Sequence, residues 1–137
     1  MKVIRISKED FWKDVPSRPG IYFIHSTSKN GNQIPRLLKP DVTGLLYVGH
    51  SNNLRERLRM LWRTIQKKYK SDAHPFGKKY KHNFLVKSKF PIFSLTITFE
   101  VCGNSKSKES IFIKKYIREY GEVPPFNSSS SNQYPIT

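Results

Sequence analysis

Hydrophobic positions recur along this chain at two spacings, and each spacing predicts a different element. Between Phe93 and Val101, the apolar residues Phe93, Leu95, Ile97, Phe99 and Val101 alternate with Ser94, Thr96, Thr98 and Glu100. That period belongs to a strand with one buried face and one wet face. Gly20 to Ile24, entered through Pro19, and Leu45 to Val48, closed by Gly49, are continuous apolar runs rich in β-branched and aromatic residues. Both predict buried strands. Beyond Gly49 the spacing changes. Leu54, Leu58, Leu61, Trp62, Ile65 and Tyr69 follow one another at helical steps, behind Ser51, Asn52 or Asn53 as the N-cap. The stretch from Leu45 to Ile65 therefore reads as strand, tight turn and helix. A second long helix is expected from Lys106 to Tyr120, with Ile113, Tyr116, Ile117 and Tyr120 as its stripe. Gly121 and Pro124-Pro125 stop it.

The remaining segments are less periodic. Ser7 to Val15 predicts one short helix capped by Ser7, and Met1 to Ile6 a short strand or an ordered arm. Residues 25–44 are polar and turn-rich, with a turn at Asn30-Gly31-Asn32 and a segment, Ile34 to Leu38, able to pair at a sheet edge. Residues 67–82, KKYKSDAHPFGKKYKH, interleave lysines with Tyr69, Phe76 and Tyr80. Those rings either stack on bases or anchor a solvated loop to the core. The predicted order is helix, strand, strand, helix, strand, helix. It describes an α/β (α+β) fold with a small sheet, one domain over 1–127 and a polar tail over 128–137.

Charge narrows the partners. Twenty-five Lys and Arg against ten Asp and Glu give a formal charge of +15, a self-repulsion most simply understood if the partner is a polyanion. Nucleic acid comes first. An anionic membrane comes second, but no apolar run approaches the ~20 residues of a spanning helix, and the N-terminus lacks the apolar stretch of a signal peptide. Cys102 is the single cysteine, so no intramolecular disulfide forms, and the expected compartment is the cytoplasm. Cys102 itself reads as a small core residue at a strand end.

Some residues break the local pattern. Glu109 lies four positions before Ile113 and projects onto the apolar stripe of its helix. A buried carboxylate is costly without a cation or strong donors, and Mg²⁺ accepts one or two carboxylates while keeping its waters. The bland alternative is a carboxylate beyond the core edge that complements the helix dipole. On the earlier helix, Arg59, Arg63 and Lys67 oppose the apolar stripe as a solvated face, whereas Arg55 and Arg57 lie on its flanks. A flank arginine can rest its stem on apolar surface and aim its fork at a fixed target. Tyr22 and Tyr47, taken singly, read as core tyrosines with satisfied hydroxyls.

Taken together, PGIYFI (19–24), LYVGHSNNLRERL (46–58) and ESIFIKKYIREYGEVPPFN (109–127) resemble the GIY-YIG nuclease superfamily over most of the chain. The resemblance implies a small three-stranded mixed or antiparallel sheet flanked by helices, and divalent-metal-dependent hydrolysis of DNA phosphodiesters. By motif position, Tyr22 and Tyr47 would be the paired strand tyrosines, Arg57 the helix arginine, Glu109 the metal-binding carboxylate and Asn127 the asparagine that closes the site. Tyr47 would activate a water, Tyr22 would orient it or the scissile phosphate, and Arg57 would stabilise the phosphoryl charge. The implied cofactor is Mg²⁺ or Mn²⁺, and the implied partner is DNA. One catalytic centre per chain implies nicking, with a dimer or repositioning for double-strand cleavage. His50 stands where the family often has lysine or a small polar residue, with three open roles: binding phosphate, relaying the Tyr47 proton or shaping the turn. Leu61 stands one turn after Arg57, where some members have histidine, and residues 25–44 form an insertion relative to compact members. The competing reading is a non-catalytic nucleic-acid-binding module, which would need neither Glu109 in the stripe nor both tyrosines.

Overall fold

The computed structural model describes residues 2–27, 33–66, 70 and 72–128. The turn expected at 30–32, Lys67 and Tyr69 of the first long helix, and the tail beyond Ser128 lie outside them. The elements are β1 (Ile4–Arg5), a 3-10 turn (Phe11–Asp14), β2 (Gly20–Ser26), β3 (Leu45–Ser51), α1 (Leu54–Ile65), α2 (Pro75–Lys81), α3 (Phe84–Lys89), β4 (Leu95–Val101) and α4 (Ser105–Tyr120). A second 3-10 turn, Ile92–Ser94, leads into β4. The strands make one sheet in the order β1-β4-β2-β3, with every pair antiparallel. The fold is thus α/β as expected, with four strands in place of three. The extra strand is β1, whose Ile4 pairs with Ile97 of β4.

That addition corrects the reading of β4. As an inner strand it is flanked by β1 and β2, so Thr96 is buried along with Leu95 and Ile97, and the alternation fades. Phe93 belongs to the preceding turn and is exposed. The Ser7 to Val15 helix shrinks to the 3-10 turn, which starts after Asp10 at φ 52° without a side-chain cap. Ile34 pairs with Asp41 in an isolated bridge and not at the sheet edge. The basic stretch before β4 contains α2, whose Phe76 and Tyr80 are buried, so those rings pack and do not face bases. Helix α3 had no periodic signal.

The strand β3 continues through Gly49 and His50 to Ser51, so Gly49 is an inner strand residue and not a turn. It pairs with Tyr22, and a Cβ there would stand 2.5 Å from the Tyr22 ring. Glycine is required because the phenol lies across it. After Ser51 the chain enters α1, with Asn53 as cap: its Oδ1 accepts the Glu56 N–H at 3.2 Å. Leu54, Leu58 and Leu61 are fully buried and press α1 onto one sheet face.

A register shift at Ile24/His25 leaves Leu46 without a partner, since Ile24 faces Tyr47 and His25 faces Leu45. This bulge decides which side each β3 side chain takes. Tyr47 joins Tyr22, Ile24, Leu95 and Ile97 on the α1 and α2 side in one large core. Leu45 and Val48 turn to the other side, against Tyr116 and Tyr120 and against Ile113 of α4. Cys102 is buried just past β4, as expected.

Candidate active site

Tyr22 is wholly buried, and its hydroxyl lies 2.7 Å from Nε2 of His74. His74 caps α2: its Nδ1 accepts the Gly77 N–H at 3.4 Å, and Pro75 follows at the first helical position. With Nδ1 accepting, the ring proton sits on Nε2, so the imidazole donates to the Tyr22 oxygen. Tyr22 keeps its own proton, and its ring stands 6.1 Å from that of Tyr47. The direction of donation therefore runs Gly77, His74, Tyr22. Burial, with the Arg57 charge second, lowers the His74 pKa to about 3, which keeps the imidazole neutral and the direction of donation intact.

The two phenols are not equivalent. Burial, then repulsion from Tyr47, pushes the Tyr22 pKa well above its usual 10.0. Burial also raises that of Tyr47, with Arg57 pulling it down and Glu109 pushing it up. Tyr47 thus holds the more readily ionised hydroxyl of the two. Arg57 stands a turn into α1, half-buried on the flank of the stripe, and faces both hydroxyls. Its Nη1 also lies 3.7 Å from Met60 Sδ.

From the other side of β3, the Glu109 carboxylate accepts a hydrogen bond from Nδ1 of His50 through Oε2. Glu109 is only 15% exposed and continues the Ile113, Tyr116, Tyr120 row of α4, as the stripe predicted. Its charge reaches Tyr47. The site therefore straddles β3, with the phenols and guanidinium entering from the α1 face and the carboxylate from the α4 face. The described side-chain partner of His50 is Glu109.

Asn127 sits elsewhere in the arrangement. Its Oδ1 accepts the Val48 N–H at 3.0 Å and its Nδ2 donates to the Val48 carbonyl at 2.9 Å. One side chain thereby satisfies both groups of a residue on the free edge of β3. The Phe126 N–H donates to the Leu46 carbonyl at 2.9 Å beside it. Asn127 closes the site's edge and holds Tyr47's strand; its amide is occupied by backbone. Arg55 binds the Val15 and Lys13 carbonyls. Arg59 is not simply solvated, since it pairs with Glu56 and lies over Trp12.

The sequence reading missed His74. Its His-Pro dipeptide before a basic segment signals a cap at most, and its burial depends on the docking of α2 against α1.

Among the described residues no three His, Cys, Asp or Glu side chains gather as a metal cage. Glu109 offers a single, mostly buried carboxylate whose Oε2 is engaged by His50. That donor set suits a hard cation that keeps water and takes part of its shell from a substrate phosphate, and it does not suit zinc. No described helix is long and apolar enough to cross a membrane. Set against known protein families, curated proteins and solved structures, the chain finds no match.

Proposed function

We propose that this chain is a divalent-metal-dependent DNA endonuclease of the GIY-YIG type. The observation that carries the reading is the meeting of two phenols, a guanidinium and a carboxylate at β3, from residues 22, 47, 57 and 109, in a chain of formal charge +15. A binding module has no use for a buried pair of phenols beside a guanidinium and a carboxylate.

Tyr47 acts as general base. As its phenolate it takes the proton of a water that attacks phosphorus in line, while Tyr22, held by His74, donates to the Tyr47 oxygen and steadies the negative charge. Arg57 neutralises charge developing on the non-bridging oxygens. A Mg²⁺ or Mn²⁺ ion held by Glu109 would supply Lewis-acid charge to the phosphoryl and leaving oxygens. Neutralising the Glu109 charge also removes one of the two causes that keep the Tyr47 phenol protonated. His50 positions the Glu109 carboxylate, and Asn127 positions β3. Where Leu61 leaves no histidine on α1, His74 supplies an imidazole from the start of α2.

The test is nicking of supercoiled plasmid with Mg²⁺ or Mn²⁺, alongside DNA binding by anisotropy. Wild type should nick, and Glu109→Gln and Tyr47→Phe should bind without nicking. A wild-type protein that binds DNA and never cuts it, across divalent ions and substrates, would leave the binding module as the better reading.

A further inference from the structure

Helix α3 is built inside out compared with α1. None of its six residues is buried, and Phe84 and Leu85 are 77% and 76% exposed. Exposed apolar residues scattered singly are ordinary, but a large adjacent pair at the tip of a formed helix has no explanation in packing. The pair is also held firmly. Asn83 Oδ1 accepts the Val86 N–H at 3.1 Å and fixes the first turn. Val86 and Phe90 pack inward against the main core, and the Tyr80 hydroxyl donates to the Phe90 carbonyl at 2.8 Å.

The surroundings are cationic. Lys78, Lys79, Lys81 and His82 precede the pair, and Lys87 and Lys89 follow it. From Ala73 to Phe99 the sequence contains no Asp or Glu. Asp72, just before, is drawn off by Lys81 and His82, both at 3.1 Å. A rigid apolar tip within a basic field is the chemistry of a side chain that enters a base step while lysines hold the phosphates. An anionic lipid surface would meet the charge too, but a helix lying on a membrane needs a long apolar face. The outward pair here is the size of one base step.

We propose that Phe84 and Leu85 form a wedge that opens the base stack of duplex DNA close to the bond being cut. The inference rests on DNA being the substrate. Helix α2 joins the two places: its cap His74 touches Tyr22, and Phe84 follows its last residue, Lys81, by three positions. Seven helical residues span about 10 Å and the three steps on to Phe84 at most about 10 Å more, so with the His74 side chain between, the wedge lies within about 30 Å of the Tyr22 hydroxyl. At 3.4 Å per step that is at most about nine base steps. The preferred substrate is a duplex that unstacks readily near the scissile phosphate, at a flexible pyrimidine–purine step or a mismatch.

The experiment places 2-aminopurine at successive positions of a duplex and follows its fluorescence as wild-type protein binds in EDTA, where nothing is cut. One or two positions should brighten. In the double variant Phe84→Ser, Leu85→Ser, the brightening should vanish and affinity for matched duplex should fall about 5- to 150-fold, the worth of one stacked base. A central mismatch should recover much of that loss. Both residues are exposed, so the variant keeps its fold, which circular dichroism checks. Binding without any brightening, or brightening unchanged in the variant, overturns the wedge. So does a variant that loses only self-association in sedimentation, or only binding to phosphatidylserine vesicles, while its DNA behaviour stays intact. Nicking in Mg²⁺ separates the two proposals. Unstacking without nicking sinks the nuclease and keeps the wedge; nicking without unstacking does the reverse.

Discussion

The two faces of the sheet are built for different work. On the α1 and α2 side a single core of fully buried side chains encloses Tyr22 and His74, and their hydrogen bond has no water to compete with it. On the α4 side two small clusters leave His50 and Glu109 in partial contact with solvent. The first side fixes proton positions, because a buried donor with one acceptor has no alternative partner. The second leaves a charged carboxylate, 15% exposed, beside His50. The sheet thus carries a buried, hydrogen-bonded pair on one face and a partly solvated charge on the other.

The largest expected effects fall on the two groups proposed to do the chemistry, one on each face of β3. Glu109→Gln should lower the nicking rate by about 10²–10³-fold with little change in thermal midpoint, measured by plasmid nicking and calorimetry. Nicking at the wild-type rate would detach the carboxylate from the chemistry. Tyr47→Phe should cost about 10²–10⁴-fold. In wild type the rate should climb with pH between 7 and 9, because the Tyr47 phenol is raised above its ordinary value and its ionised fraction grows with each step. A flat profile would remove Tyr47 as the base.

The buried side should show itself in stability. His74 titrates near 3 in the fold and near 6.5 when unfolded. The unfolded chain therefore takes up the proton first, and stability that is complete above pH 6.5 drains away as pH falls toward 3. The loss should amount to a few kcal/mol, read from denaturation midpoints at successive pH values. In His74→Gln the part due to His74 should disappear, and if the acid profile is unaltered the buried neutral imidazole is wrong.

The smallest effects separate support from chemistry. Asn127→Ala leaves both Val48 backbone groups without their partner and should cost about 1–3 kcal/mol. It should raise KM or lower kcat less than tenfold, since the amide touches backbone only. Tyr116→Phe removes the hydroxyl that donates to buried Asp41 at 2.7 Å and should destabilise by a similar amount with nicking unchanged. Loss of nicking in this variant at temperatures where it stays folded would show that the α4 face is coupled to the chemistry more widely than drawn here.

Much of the candidate site was legible along the chain because it rests on local spacing. Glu109 stands out as a carboxylate in an apolar stripe, and Arg57 as a flank residue of a strongly patterned helix. Tyr22 and Tyr47 announce strands but not their roles. His74 was not legible, since a histidine before a proline in a lysine-rich stretch looks like surface. The partner of His50 was equally hidden, because Glu109 comes from an element fifty-nine positions away.

By itself the amino-acid order determined the elements whose hydrophobic period is strong, the excess of positive charge and the chemical types available for a site. Periodicity and composition are properties of neighbours in sequence, so they can be read there. Only the tertiary structure decided that β1 turns β4 into an inner strand, that a bulge at Leu46 puts Leu45 on the same face as Val48, and that α2 delivers an imidazole to Tyr22. Each of these is a choice of partner between distant segments, made by burial and hydrogen bonding once the chain has closed on itself.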